Sequence, residues 1–272
     1  MRVQMADETR THLAAHKRIV VKLGTTSLTY ENGRLNLTRI EQLAWVLTDL
    51  RNHGKDVILV SSGAIAVGAD RLGLAERPRD IQGKQAASAV GQAVLMQIYQ
   101  NFFMTYNQKV AQILLTKDVF DDPERRELAG NTFSALLAMG VIPIVNENDT
   151  VSTAELGFSE NDALSAHVAC LLGADALIIL SDTDGIFDGD PNKNPDAKNI
   201  PYADGVDDVL MSVAGGSASA LGTGGAFTKL AAAKIATEAG IDTIIAQSSP
   251  PSVIIDVLGG AAKGTLIRAR KR

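Results

Sequence analysis

Apolar residues along this chain fall in short, dense runs separated by longer stretches with helical spacing. Arg18-Ile19-Val20-Val21-Lys22-Leu23-Gly24 is the first run, β-branched and closed by glycine. Asp56–Val60, Val110–Leu115, Val141–Val145, Ala176–Leu180 and Ile241–Ala246 repeat the type, and each predicts a strand. Between them, Ile40, Leu43, Ala44, Leu47 and Leu50 recur at helical spacing within Thr38–His53, which Gly54 ends. Asp80–Tyr106 predicts a long helix interrupted near Gly91, and Arg125–Met139, Asn161–Leu172 and Leu230–Gly240 predict three more. Gly264–Arg268 predicts a final edge strand, and Gly189–Asn199 a surface loop. Strand runs apolar on both faces suit parallel pairing between layers of helix. The fold class is α/β with a mainly parallel central sheet.

On such sheets ligands gather beyond the carboxyl ends of the strands. Here those ends carry Lys22-Leu23-Gly24-Thr25, Ser61-Ser62-Gly63, Asn146-Glu147-Asn148-Asp149 and Ser181-Asp182-Thr183-Asp184-Gly185. Each alone is ordinary turn chemistry; together they describe a polar crevice along one sheet edge. The stretch Leu221-Gly222-Thr223-Gly224-Gly225-Ala226-Phe227-Thr228-Lys229 then runs into a helix. Clustered glycines let several backbone N–H groups converge, and a helix N-terminus with Lys229 adds positive charge, which suits phosphate. Neither G-x-x-x-x-G-K-[ST] nor a helix-opening G-x-G-x-x-G after the first strand occurs, so a P-loop or dinucleotide-binding architecture fits poorly.

Composition narrows the class. The chain has 272 residues, 46% hydrophobic and 21% charged, enough for one large α/β domain or two small ones. A net charge of −5 argues against a nucleic-acid surface, and the basic tail Arg268–Arg272 reads as a solvated end. A single cysteine, Cys170, excludes an internal disulfide framework. His167 and Cys170 lie three apart on a helix with no further ligand beside them; both are read as core, and no metal site is assigned. With no segment long enough to span a bilayer and no signal-like start in Met1–His16, a cytoplasmic protein without membrane contact is expected.

The residues closely resemble one family, glutamate 5-kinase, within the amino acid kinase superfamily. The resemblance runs through Val20-Val21-Lys22-Leu23-Gly24-Thr25, Ser61-Ser62-Gly63-Ala64-Ile65-Ala66 and Lys84-Gln85-Ala86-Ala87-Ser88-Ala89-Val90-Gly91-Gln92. It continues in Gln112-Ile113-Leu114-Leu115-Thr116, Ile144–Asp149, Asn161–Ala166, Leu180-Ser181-Asp182 and the glycine stretch. It implies a three-layer αβα sandwich over residues 18–270, with residues 18–175 binding the acceptor and 176–270 the nucleotide, after an extension of residues 1–17. It also implies ATP-dependent phosphorylation of the γ-carboxylate of L-glutamate, the entry step of proline biosynthesis, with Mg2+ accompanying ATP and feedback inhibition by proline. A homo-oligomer, dimer or tetramer, is expected. Many members add an RNA-binding domain of the PUA type; none is expected here.

By the same resemblance Lys22 contacts the ATP phosphates, and the stretch Thr223, Gly224, Gly225, Ala226, Phe227, Thr228, Lys229 matches the glycine loop over them; charge neutralisation at the transferring group would bring Lys22 and Lys229 to it from opposite sides. Ser181 and Asp182 match a nucleotide-binding strand end. Ser62, Asp149 and Asn161 match glutamate-binding positions, with Asn146, Glu160 and Asp162 beside them. The acceptor is already ionised near neutral pH, so Asp162 is expected to hold the lysines rather than act as a base. Ala226 stands where the loop often carries Met, and Glu160 where some members have Asp. Two rival readings are a sibling kinase for another carboxylate or phosphate acceptor and a non-catalytic nucleotide or amino-acid sensor. Two cations at one phosphoryl site argue against the sensor.

Overall fold

The apolar runs pair side by side into one eight-stranded sheet in a computed structural model that describes residues 9–30, 34–152, 161–191, 194–214 and 225–270. After a 3-10 turn (Thr11–Ala15) come β1 (Arg18–Leu23), α1 (Thr25–Leu28), α2 (Leu37–Asn52), β2 (Asp56–Ser61), α3 (Ala64–Arg71) and α4 (Ile81–Thr105). Then follow β3 (Val110–Leu115), α5 (Asp118–Asp121), α6 (Pro123–Ala138), β4 (Ile142–Glu147), α7 (Asn161–Leu172) and β5 (Ala176–Ser181). The chain continues through β6 (Tyr202–Asp204), α8 (Asp208–Ala214), α9 (Gly225–Glu238), β7 (Asp242–Gln247), α10 (Val253–Leu258) and β8 (Thr265–Arg268). The strand order is β3-β4-β2-β1-β5-β7-β8-β6. All pairings are parallel except β7 with β8.

Strand parity divides the core in two. Ile19, Val21, Val57, Leu59, Ile144 and Ile178 face one layer, with α2, α4 and α10. Val20, Ile58, Val60, Val145, Leu177 and Ile179 face the other, with α6, α7 and α9. Lys22 follows Val20 by two residues and therefore leaves β1 on the α7 side. That parity decides what Lys22 meets.

Two sequence expectations are corrected. Gly264–Arg268 forms no edge: β8 lies between β7 and β6, and the short β6 takes the edge. The helix expected to break at Gly91 is continuous from Ile81 to Thr105. Gly91 serves contact instead, because a Cβ there would lie 1.8 Å from the Ala64 carbonyl oxygen of α3. Gly68 makes the reciprocal approach, its Cβ position 1.7 Å from the Ala87 carbonyl oxygen. The two helices thus touch backbone to backbone. Gly63, at φ +105, turns the chain from β2 into α3 in a left-handed conformation that suits glycine.

At the opposite ends of the strands, the N-terminal turn is pinned to the sheet. Arg10, fully buried, donates to the carbonyls of Pro201, Ala261, Lys263 and Gly264. Asp242 Oδ2 accepts from His12 Nε2 at 2.8 Å and His16 Nε2 at 3.0 Å, and Oδ1 accepts from the Ala269 N–H at 2.8 Å. The Arg268 guanidinium lies against both His12 and Asp242.

Gly91→Ala should cost about 1–3 kcal/mol by overpacking a backbone contact that has no flexible neighbour to yield; urea unfolding of the variant measures it, and wild-type stability would refute the contact. The N-terminal clamp makes a second expectation. Burial, then Arg268, lowers the His12 pKa; for Asp242 burial pulls upward, but the bonds from His16 and Ala269 and the charge of Arg268 leave its carboxyl below the usual range. Both depressed values give stability that is present above the unfolded values and lost as pH falls, below about 6.5 for His12 and below about 3.9 for Asp242. Thermal melts from pH 7.5 to 2.5 should show stability falling with acid, and Asp242→Asn should lose the part of the fall below about pH 3.9; an unchanged fall there would remove the Asp242 carboxylate as its source.

Candidate active site

A cleft of about 660 Å³ opens over the carboxyl ends of β1, β2, β4 and β5, and Lys22, Ser62, Asn146, Asp149, Asn161, Ser181, Asp182 and Lys229 all line it. Its centre is an ion cluster. Asp162, in the first turn of α7 and with no exposed surface, has Lys22 Nζ at 2.6 Å from Oδ1 and Lys229 Nζ at 3.9 Å from Oδ2. The Thr228 hydroxyl donates to Oδ2 at 2.9 Å. Among the described residues no hydrogen-bond donor is aligned on Oδ1, which meets Lys22 as an ion pair.

Lys229 reaches this place because α9 starts early. The helix was expected from Leu230, with a loop before it; it begins at Gly225, so Ala226, Phe227, Thr228 and Lys229 form its first turns. Lys229 Nζ donates back to the Gly225 carbonyl at 2.9 Å, one turn earlier. Ala226 packs against the core beneath α9, and Ala226, Phe227 and Thr228 are not part of the cleft lining. Thr223, Gly224 and Glu160 lie outside the described residues.

The acceptor side is a chain of amides. Asn146, 3% exposed at the end of β4, donates from Nδ2 to Gln92 Oε1 at 2.9 Å. Asn146 Oδ1 accepts from the Glu147 N–H at 2.9 Å and from Asn161 Nδ2 at 2.8 Å. Asn161 Nδ2 also donates to Ser62 Oγ at 3.0 Å. Asp149 accepts from Ser88 Oγ at 2.8 Å. Burial raises the Asp149 pKa, while the bond from Ser88 and the charge of Arg77 pull it back. On the other side, Ser181 Oγ donates to Asp182 Oδ1 at 3.0 Å at the end of β5.

Several lining residues were given no role in advance. Arg77, Lys84 and Gln85 flank the start of α4 and line the cleft; Lys84-Gln85 sits inside a motif that carried the resemblance, which was the available signal. His167 and Cys170, read as core, are half-buried and line a separate groove between α6 and α7 with Phe120 and Arg126. His12, His16 and Asp242 place ligand atoms within 4.8 Å of one another, a spacing a metal could use. That group lies at the far ends of the strands, and Arg268 already supplies positive charge there. Among the described residues no helix is long and apolar enough to cross a membrane.

A mainly parallel sheet with a phosphate-suited lysine pair, one at a strand end and one at a helix start, defines an α/β phosphotransferase-like site, and comparison with known proteins agrees. The model of the amino acid kinase family matches residues 17–247. The chain is 50% identical over 266 residues to the glutamate 5-kinase of Clostridium perfringens, covering 96% of this chain and 99% of that one. It is 48% identical over 257 residues to the glutamate 5-kinase of Symbiobacterium thermophilum, covering 94% and 98%. Among solved structures, a UMP kinase from Bacillus anthracis superposes with a TM-score of 0.64 at 18% identity, over 94% of this chain and 97% of that one, which is a likeness of fold. The chain belongs to the amino acid kinase family and, within it, to the glutamate 5-kinases.

Asp162→Asn leaves Lys22, 5% exposed, without its counter-charge. Loss of one partner from a buried pair should cost about 3 kcal/mol or more. In urea unfolding, adding Lys22→Met to Asp162→Asn should recover part of that loss; additive losses would mean the pair is not coupled.

Proposed function

We propose that this protein transfers the γ-phosphoryl group of ATP to the γ-carboxylate of L-glutamate. A carboxylate oxygen forms the new P–O bond, the bond from the γ-phosphorus to the β,γ-bridging oxygen breaks, and ADP leaves with its electron pair. The observation that carries this reading is the pair of ammonium groups on one buried carboxylate at the middle of the cleft. Two anionic reactants repel one another, and phosphoryl transfer needs alignment and charge neutralisation more than covalent help. Lys22 and Lys229 supply the charge, and Asp162 with Thr228 holds them in place. At an effective dielectric near 20, one such charge about 4 Å away is worth roughly 4 kcal/mol before solvation costs. Only the share gained in the transition state speeds the reaction.

In this reading residues 18–175 hold the acceptor and 176–270 the nucleotide. Asp149 takes the α-ammonium group of glutamate, Asn161 and Ser62 its polar ends, and Ser181, Asp182 and the stretch ending at Lys229 the nucleotide. Mg2+ bound with ATP would supply charge neutralisation at the phosphates. Asp162 is already matched by two ammonium groups and Asp182 lies on the nucleotide side, a donor set that suits an ion keeping most of its waters. Proline shares the α-amino and α-carboxylate groups of glutamate and should compete for the acceptor contacts. The working form is a dimer or tetramer.

With ATP, Mg2+ and hydroxylamine, the protein should yield a hydroxamate from L-glutamate, with proline raising the apparent KM for glutamate. Lys22→Ala should lower kcat by about a hundred- to thousandfold, as loss of one preorganised donor does. Hydroxamate from N-acetylglutamate but not glutamate would overturn the acceptor assignment. A folded Lys22→Ala enzyme with normal kcat would overturn the role of the lysine.

A further inference from the structure

One face of α4 lies beneath the acceptor side of the cleft. Gln85, Ser88, Gln92 and Tyr99 recur three, four and seven residues apart, a single stripe on a helix. Three reach the end of β4 and the segment that follows it, and the fourth reaches the end of β2. Gln85 Nε2 donates to the Ser152 carbonyl at 3.1 Å, and Ser88 to Asp149. Gln92 accepts from Asn146, and the Tyr99 hydroxyl meets Ser61 Oγ at 2.8 Å. Gln85 lines the cleft, whereas Gln92 and Ser88 are 8% and 3% exposed and work from behind its wall.

We propose that Gln92 is a positioning residue for the acceptor, setting through Asn146 which atom Asn161 presents to the substrate. The argument rests on the direction of the hydrogen bonds. Two backbone atoms that cannot exchange roles anchor the chain of amides. The Glu147 N–H only donates, which places Asn146 Oδ1 beside it. The Ser61 carbonyl only accepts, which places Asn161 Nδ2 beside it at 3.3 Å. Between these anchors Asn146 Oδ1 meets Asn161 Nδ2, and Asn146 Nδ2 must find its acceptor on the far side. Gln92 Oε1 is that acceptor. With its amide nitrogen committed to Asn146, Ser62 and the Ser61 carbonyl, Asn161 has its Oδ1 left for a ligand. A carbonyl oxygen there selects a hydrogen-bond donor, such as the ammonium group of an amino acid.

Without Gln92, Asn146 Nδ2 becomes a buried donor with no acceptor, a costly state that side-chain rotation relieves. Rotation takes Oδ1 away from Asn161 and frees the Asn161 amide to turn. Ser88 acts in the same way on Asp149, fixing one carboxylate oxygen so that the other faces the cleft. Backbone contact between α4 and α3 at Gly91, next to Gln92, holds the whole stripe at a set depth.

This inference rests on the kinase reading above, and the wild-type enzyme separates the two: no hydroxamate from glutamate defeats that reading, whatever the variants do. Given wild-type turnover, Gln92→Met, close in shape but without an acceptor, should raise the glutamate KM about ten- to hundredfold while leaving the ATP KM within about twofold. Gln92→Glu keeps an acceptor oxygen and should recover most of that loss. A residue that only supports the fold would move both KM values together, or only the amount of active enzyme, and that result would overturn the proposal. So would an unchanged glutamate KM in Gln92→Met. If Gln92→Met does not fold, Gln92→Leu, which likewise offers Asn146 no acceptor, asks the same question. A rise confined to the glutamate KM supports the α4 stripe, and none overturns it.

Discussion

A carboxylate sealed from solvent between two ammonium groups is the constraint around which this structure is arranged. Asp162 cannot stay charged at zero exposure without opposite charge close by. Lys22 and Lys229 answer that need from elements far apart in sequence, a strand end and a helix start. The attraction works in both directions, since neither lysine would stay so well buried without the carboxylate. A stability requirement and a chemical one thus coincide. The arrangement that balances the buried Asp162 also concentrates positive charge at one point of an otherwise acidic chain.

The topology explains why the meeting falls there. β1 is the central strand from which the chain departs to β2 on one side and later returns to β5 on the other. Lys22 therefore stands on the divide. Amides and hydroxyls from β2, β4 and α7 gather to one side of it, Ser181 and Asp182 of β5 to the other. Helix α9 then crosses the same layer as α7 and brings Lys229 over the divide. An acceptor and a donor placed on the two sides would meet end to end beside both charges.

Much of this was legible in the sequence because parallel strands buried on both faces announce themselves as apolar runs. The six strand runs from Arg18 to Ala246 and the polar residues after them needed only that rule, and they led to Lys22, Ser62, Asn146, Asp149 and Ser181. What stayed hidden depended on partners distant in the chain. Gly91 reads as a helix breaker until α3 is seen against it, where the missing side chain is the point. β8 reads as an edge because nothing local reveals that Tyr202–Asp204 will cover it. The early start of α9 was masked by glycines, which look like loop even where a helix has begun. Gln92 and Ser88 were visible only as letters of a motif, since a hydrogen bond's direction is a property of three dimensions.

The reversal of β8 has a practical corollary. Running against β7, it carries the chain back toward the start of that strand, where Ala269 bonds to Asp242 beside the turn that holds His12. Both outgoing ends of the described fold therefore emerge at the amino ends of the parallel strands, a strand's length from the cleft. A tether, label or fused partner attached at either end would hang from the floor of the molecule. Immobilised that way, the protein would present its open cleft to the surrounding solution.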